Sequence, residues 1–269
     1  MPFNLVFSNH LKSFKHIINL GNGTFGKVSL YRCNHYNFEN LIPNKCKNIY
    51  VVKKIKVDKK VYFKSMLNEW TLSKILDHEN IRSIIDIDIC NNSLIYEYNP
   101  MYIDMFEFLK KQMFILNKCN IDKFINQFKS FLNYIHDLGI AHLDLKLENI
   151  LIDSEYNIKI IDFGTAQVCK LNKKTFLIKG PYTTLQYASP EQFTNVLYLP
   201  TKSDLWSFGI ILICILKNSY IWQTATANDP NFCNFKKNKH GFLSSLKLDS
   251  TYFFTLYNLL DIDPTFRFI

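Results

Sequence analysis

The pattern of apolar and polar positions changes character about a third of the way along the chain. Up to residue 99, β-branched and aromatic residues come in short runs punctuated by glycine. Val28-Ser29-Leu30-Tyr31 and Ile49-Tyr50-Val51-Val52 predict strands. One stretch in this part, residues 63–76, reads as a helix that Asp77-His78-Glu79-Asn80 ends. Beyond residue 99, Ile121, Phe124, Ile125, Phe128, Phe131, Leu132 and Ile135 recur at spacings of three and four, which predicts an amphipathic helix stopped by Gly139. Residues 203–216 are apolar nearly all round and predict a more deeply buried helix. Between these helices lie two short apolar strands, residues 150–152 and 158–161. The pattern predicts an α+β chain with a β-rich lobe over residues 1–97 and a mainly helical lobe over residues 98–269, sharing a cleft and joined near Glu97-Tyr98-Asn99.

Composition narrows the function more by exclusion than by assertion. The chain has 269 residues, 48% hydrophobic and 20% charged, which suits a folded protein with a sizeable core. Its longest apolar run, residues 208–216, is too short to span a bilayer. Asn9, His10, Lys12, Lys15 and His16 interrupt the first twenty residues and argue against a signal peptide, so the expected location is intracellular, in cytoplasm or nucleus. Seven cysteines are scattered without a Cys-x-x-Cys pair, which suggests bystander thiols rather than a disulfide framework or zinc site. The net charge of +9 is spread along the chain, with short clusters at Lys53/Lys54, Lys59/Lys60 and Lys236/Lys237/Lys239. That spread favours a solvated surface over sequence-specific nucleic-acid or membrane binding. Abundant Asn, Ile, Lys, Phe and Tyr suggest an AT-rich genome.

The chemistry lies in a glycine loop and six side chains in a fixed order. Gly21-Asn22-Gly23-Thr24-Phe25-Gly26-Lys27-Val28 is a Gly-x-Gly-x-x-Gly loop, whose bare backbone amides can approach phosphate oxygens. A strand follows it rather than a helix, so a hairpin lid is expected in place of a dinucleotide turn. Lys53 ends the next strand run, where an ammonium can bridge phosphates, and Glu69 on the expected helix is placed to hold it. In His142-Leu143-Asp144-Leu145-Lys146-Leu147-Glu148-Asn149, Asp144 can accept a proton from a hydroxyl and Lys146 can neutralise charge on a transferred phosphoryl group. Asn149 and Asp162, the latter in Asp162-Phe163-Gly164, offer hard oxygens to Mg²⁺. Singly, each could be structural; in this order coincidence is negligible.

With those residues in view, the sequence resembles the eukaryotic-type serine/threonine protein kinases from about residue 14 to Arg267. That resemblance implies one bilobal kinase domain and γ-phosphate transfer from ATP, with Mg²⁺ or Mn²⁺, to protein hydroxyls. It implies that Lys53 meets the α- and β-phosphates and pairs with Glu69, that Asp144 is the base, and that Asn149 and Asp162 are metal ligands. It further implies an adenine pocket from Gly21, Gly23, Gly26, Val28, Val51, Leu151 and the Glu97-Tyr98 hinge, with Asp104 just beyond the hinge touching the ribose and Tyr96 as a bulky guard at the back. Val51 replaces a usual alanine, which predicts a slightly tighter pocket. Ala188-Ser189-Pro190-Glu191, Arg267 as the partner of Glu191, and the helix carrying Asp204-Leu205-Trp206-Ser207-Phe208-Gly209 resemble protein kinases rather than small-molecule phosphotransferases. Lys146 with Thr184, beside the catalytic loop, resembles the serine/threonine branch.

Departures from the pattern carry their own expectations. Leu143 stands where an arginine usually receives an activation-loop phosphate, so activity without such a phosphate is expected. Ser73, four residues after Glu69, replaces an apolar residue that normally stacks on Phe163, which weakens the expected active arrangement and points to an activating protein partner. Residues 33–47 read as a polar insertion. Glu148 and Asp104 match positions that are acidic in basophilic kinases, so basic protein substrates are expected. The small single-domain form and the Lys-Leu-Glu-Asn string are similar to the protein kinase 1 family of baculoviruses, although parasite and poxvirus kinases look much the same. That similarity implies a viral protein acting on a basic DNA-packaging protein. A pseudokinase scaffold is the competing reading, and its usual mark, loss of Lys53, Asp144 or Asp162, is missing.

Overall fold

A computed structural model describes residues 14–22, 26–33, 49–56, 60–115, 117–172, 174–180 and 184–269. Gly23, the 33–47 insertion after Cys33, Lys59, Tyr182 and Thr183 therefore lie outside the described residues. The chain divides into two compact units, Met1–Asp77 with Ile81–Met101, and His78–Asn80 with Tyr102–Ile269.

Among its described residues, the first unit is an antiparallel sheet with one helix. Strands β1 (Phe14–Asn22), β2 (Gly26–Cys33) and β3 (Ile49–Ile55) precede helix α1 (Lys60–Ile75); β4 (Asp86–Asp88) and β5 (Ser93–Glu97) complete the sheet in the order β1-β2-β3-β5-β4. β1 and β2 form the hairpin that the glycine spacing predicts, with a strand following the glycines. Alternation along the strands puts Leu30, Val51, Leu94 and Tyr96 into one buried cluster with Met66 of α1. Helix α1 begins at Lys60, ahead of the predicted start, because Val61 and Tyr62 are β-branched and aromatic and favour strand by residue type.

The second unit is mainly helical. After the short strand β6 (Ile103–Asp104) come α2 (Met105–Lys110) and α3 (Lys118–Asp137). Asn117 caps α3 by accepting from the Asn120 amide at 2.9 Å, and Gly139 follows in the left-handed region at φ 74. Of the predicted apolar stripe, Ile121, Phe124, Phe128, Phe131, Leu132 and Ile135 are buried, and Ile125 is half-buried at its edge. Strand β7 (Ile140–Ala141) leads to β8 (Ile150–Ile152), which pairs with β6, and to β9 (Ile158–Ile160), which pairs with β8. Three two-residue strands follow, β10 (Gln167–Val168), β11 (Lys170–Leu171) and β12 (Lys174–Thr175).

Helix α4 (Pro200–Lys217) is buried almost throughout, as its all-round hydrophobicity requires. Phe208 of α4 stacks on Phe128 of α3 with ring centroids 4.5 Å apart. Each such buried ring contributes about 1.5–3 kcal/mol by leaving water. Helices α5 (Pro230–Lys237), α6 (Lys239–Ser245) and α7 (Ser250–Leu259) complete the unit. No helix among the described residues is long and apolar enough to cross a membrane.

Candidate active site

In the β-rich unit, sheet register sets which polar groups meet. Lys53 on β3 lies opposite Leu94, and Val51 lies opposite Tyr96 on β5. Cross-strand partners share a face and residues two apart share a face, so Lys53 and Tyr96 project from the same side of the sheet. Glu69 of α1 meets both. Lys53 Nζ donates to Glu69 Oε2 at 2.7 Å, and the Tyr96 hydroxyl donates to Glu69 Oε1. Glu69 is only 3% exposed, so its charge depends on these donors. The sequence singled out Tyr96 for its bulk; its phenol oxygen was the signal for this second role.

Arg82 adds a group that the motif pattern does not mention. Its guanidinium lies over the Tyr96 ring at 4.9 Å and donates from Nη2 to the Glu97 carbonyl at 2.5 Å. Burial pulls the Arg82 pKa below its ordinary value, while Tyr96, Glu69 and Glu97 oppose the shift. Around the glycine hairpin, Val28 stands opposite Lys53 and Gly21 opposite Val28. A Cβ on Gly26 would sit 2.1 Å from the Lys54 carbonyl oxygen, so only glycine allows that backbone approach. Tyr98, after Glu97, is half-buried.

In the helical unit, β7 delivers the catalytic loop to the N-terminal half of α4. Buried Asp204 accepts from the amides of His142 at 2.8 Å and Leu143 at 2.9 Å, with His136 Nε2 as a third donor at 2.9 Å. His142 Nδ1 accepts from the Asp144 amide at 3.3 Å, so Nε2 carries the proton and donates to the Ile161 carbonyl at 3.1 Å. Burial pushes the His142 pKa down, and the Asp204 and Asp144 carboxylates only partly counter it. A neutral imidazole results, bridging the catalytic loop to the segment before Asp162.

Four donors grip the Asp144 carboxylate. Oδ2 accepts from Lys146 Nζ at 2.7 Å and from Asn149 Nδ2 at 3.1 Å. Oδ1 accepts from the Thr184 amide at 3.3 Å and its hydroxyl at 3.5 Å. Lys146 also donates to Thr184 Oγ1 at 3.1 Å. Asn149 Nδ2 donates to the Asp144 carbonyl at 2.8 Å as well, which turns the Asn149 amide oxygen toward other partners. The Ile161 amide donates to the Asn149 carbonyl at 3.0 Å, keeping Asp162 beside Asn149. Asp162 adopts φ 67 and caps the turn Phe163–Thr165 by accepting from the Gly164 amide at 3.4 Å. These oxygens are hard donors and fit Mg²⁺ or Mn²⁺. No cluster of three His, Cys, Asp or Glu among the described residues could hold a metal alone. An ion here would draw further ligands from phosphate and water.

The neighbouring positions are more mixed. Leu151 is half-buried on β8 and lies opposite Asp104. Asp104 is half-buried and caps α2, accepting from the Glu107 amide at 2.9 Å; burial raises its pKa. Glu148 is exposed. Leu143 is 2% exposed, adopts φ 66, and packs with Ala141, Cys169 and Ile178. Beside it, β10 pairs with β7, and the Cys169 and Lys170 amides both donate to the Gly139 carbonyl at 2.7 and 3.1 Å. Farther on, Arg267 makes a bidentate pair with Glu191 at 2.5 and 2.8 Å, the partnership that the sequence pattern implied.

Comparison with known proteins places this geometry. Residues 14–265 match the family model described as protein kinase domain. The chain is 34% identical over 212 residues to the serine/threonine-protein kinase ppk8 of Schizosaccharomyces pombe, a match covering 75% of this chain and 40% of that protein. It is 28% identical over 247 residues to the serine/threonine-protein kinase HAL4/SAT4 of Saccharomyces cerevisiae, covering 85% and 40% respectively. With CBL-interacting protein kinase 14 of Oryza sativa subsp. japonica it shares 29% identity over 257 residues, covering 92% and 54%. The chain thus spans between 40% and 54% of the length of these curated relatives.

Proposed function

Since the chain belongs to the protein kinase family, we propose that it transfers the γ-phosphate of ATP to serine and threonine hydroxyls of protein substrates. The observation that carries this reading is the Asp144 carboxylate, held by Lys146, Asn149 and Thr184 with Lys146 only 2.7 Å away. Asp144 orients the incoming hydroxyl and takes its proton. Lys146, on the same carboxylate, offsets negative charge on the phosphoryl oxygens. Lys53, directed by Glu69, binds the α- and β-phosphates. When bound through Asn149 and Asp162, Mg²⁺ screens the charge of the phosphates. Radiolabelled ATP offered with a basic protein, an acidic protein and no protein tests the reading, with Asp162→Ala as control. Transfer to protein in the wild type alone is the expected result. Label transfer in neither chain, or only to a small molecule, overturns it.

Two finer features belong to the same reading. Leu143 meets the segment after Asp162 through apolar packing on Cys169 and Ile178, and a leucine side chain cannot receive a phosphate. The kinase is therefore active without activation-loop phosphorylation. Alanine at Thr175, Tyr182 or Thr183 should leave activity within about two-fold; collapse in all three variants would refute the point. The substrates are basic, because exposed Glu148 flanks the catalytic loop. Asp104 contributes less, since one of its oxygens caps α2. A protamine-like DNA-packaging protein is the substrate class to try first, and a peptide array that selects acidic flanks would reverse the assignment. A partner-activated kinase is the second reading, favoured by polar Ser73 buried on α1. Full activity of purified monomer removes it.

A further inference from the structure

Glu69 must stay on Lys53 for the proposed reaction, yet the residue one turn beyond it on α1 is Ser73, which is 6% exposed and supplies little apolar anchorage. The carboxylate is instead held from the sheet. Lys53 takes Oε2 at 2.7 Å from β3, and Tyr96 takes Oε1 from β5. The two strands are adjacent and in register, with Val51 opposite Tyr96 and Leu94 opposite Lys53, so a one-residue slip would turn the phenol to the other face. Arg82 brackets the tyrosine. Its guanidinium lies 4.9 Å from the ring centroid, and its Nη2 is bonded at 2.5 Å to the carbonyl of the next residue, Glu97. A cation over the ring draws electron density from the phenol and makes its O–H a better donor to a carboxylate.

We propose that the Tyr96 hydroxyl, steadied by Arg82, is a positioning group that holds Glu69 on Lys53 from within the β-rich unit. The helix then needs no outside protein to keep its glutamate in place. Tyr96 touches no reacting atom in this role; it acts through Glu69. The inference rests on the kinase reading, and one arm of its test is independent of activity. Tyr96→Phe keeps the ring, the cation contact and the bulk while deleting one hydroxyl. It should lower kcat/KM for ATP about ten-fold, the value of a hydrogen bond to a buried charge. In a Glu69→Ala background the same change should have no further effect. Arg82→Leu should lower kcat/KM about two- to three-fold. An equal loss from Tyr96→Phe in both backgrounds, or no loss in either, overturns the proposal. Crystal structures of wild type and Tyr96→Phe form the independent arm. The Lys53–Glu69 pair should be closed in the first and open in the second, and a pair closed in both refutes the clamp. A wild type that transfers no phosphate refutes the kinase reading and leaves this structural comparison decisive.

Discussion

Two ion pairs, Lys53–Glu69 in the first unit and Arg267–Glu191 in the second, are built differently. Arg267, fully buried, forks onto both oxygens of Glu191, donates from Nε to the Asp261 carbonyl at 2.7 Å and from Nη1 to the Lys202 carbonyl at 2.9 Å, and lies 4.9 Å from the Trp206 ring centroid. Its planar donors are matched by fixed acceptors. Lys53 is a compact charge on a rotatable stem, its side chain 13% exposed, and it reaches one oxygen of Glu69. The first arrangement serves architecture, because an arginine in a matched cage cannot turn to a new partner. The second suits the proposed chemistry, because an ammonium can hold a carboxylate and also engage phosphate. Burial alone does not separate the two roles; donor geometry does.

Substitutions at the two pairs should therefore fail in opposite ways. The largest effect falls on activity: Lys53→Met should lower kcat by at least about a hundred-fold, with a smaller fall in stability than Arg267→Ala because Tyr96 still donates to Glu69. A comparable fall in stability would erase the distinction. Next comes Arg267→Ala, which strands the buried Glu191 carboxylate. It should cost about 3–5 kcal/mol, read by chemical denaturation, and a stable variant would show that the cage is dispensable. Smaller still is Arg267→Lys, with a loss of about 2 kcal/mol because one ammonium cannot replace the fork. Equal stability of this variant and wild type would remove geometry from the explanation.

His142 extends the contrast, since it meets desolvation by staying neutral rather than by finding a full counter-charge. Its pKa in the folded chain lies below the unfolded value of about 6.5. The unfolded chain thus binds the extra proton first as pH falls. Stability should be complete above about pH 6.5 and decline below it, by at most about 1.4 kcal/mol per pH unit from this group. Melting curves across that range, compared with His142→Phe, should show a shallower decline in the variant. Identical slopes would mean that other groups set the acid limb.

Much of the candidate site was legible because its chemistry is tied to residue type and short spacing. Asp144, Lys146 and Asn149 lie within six positions of one another, and no fold needs to be known to see what they can do. The apolar periodicity of α3 identified its buried face in the same local way. The interactions that span the chain were not legible. Tyr96 and Glu69 are 27 residues apart and meet only because β5 pairs with β3 in one register. Arg82 carries no motif, and its use depends on the ring it covers. Leu143 could be seen as a missing arginine, but its packing on Cys169 and Ile178 depends on the β10–β7 pairing, whose two-residue strands have no periodicity to read. The early start of α1 escaped because Val61 and Tyr62 are residue types that favour strand until the packing of the turn is known.

The Tyr96 hydroxyl has a consequence for inhibitor engineering. A common aim with such enzymes is to enlarge a cavity by trimming its bulkiest wall, so that a modified compound enters one engineered enzyme and none of its relatives. The kinase resemblance makes Tyr96 the residue to trim here, and alanine or glycine would remove the ring and the donor to Glu69 together. An enlarged variant of this chain would accept the compound only after weakening the activity it is meant to report. A route that preserves the donor would leave Tyr96 intact and shorten Val51, its neighbour across the strand pair.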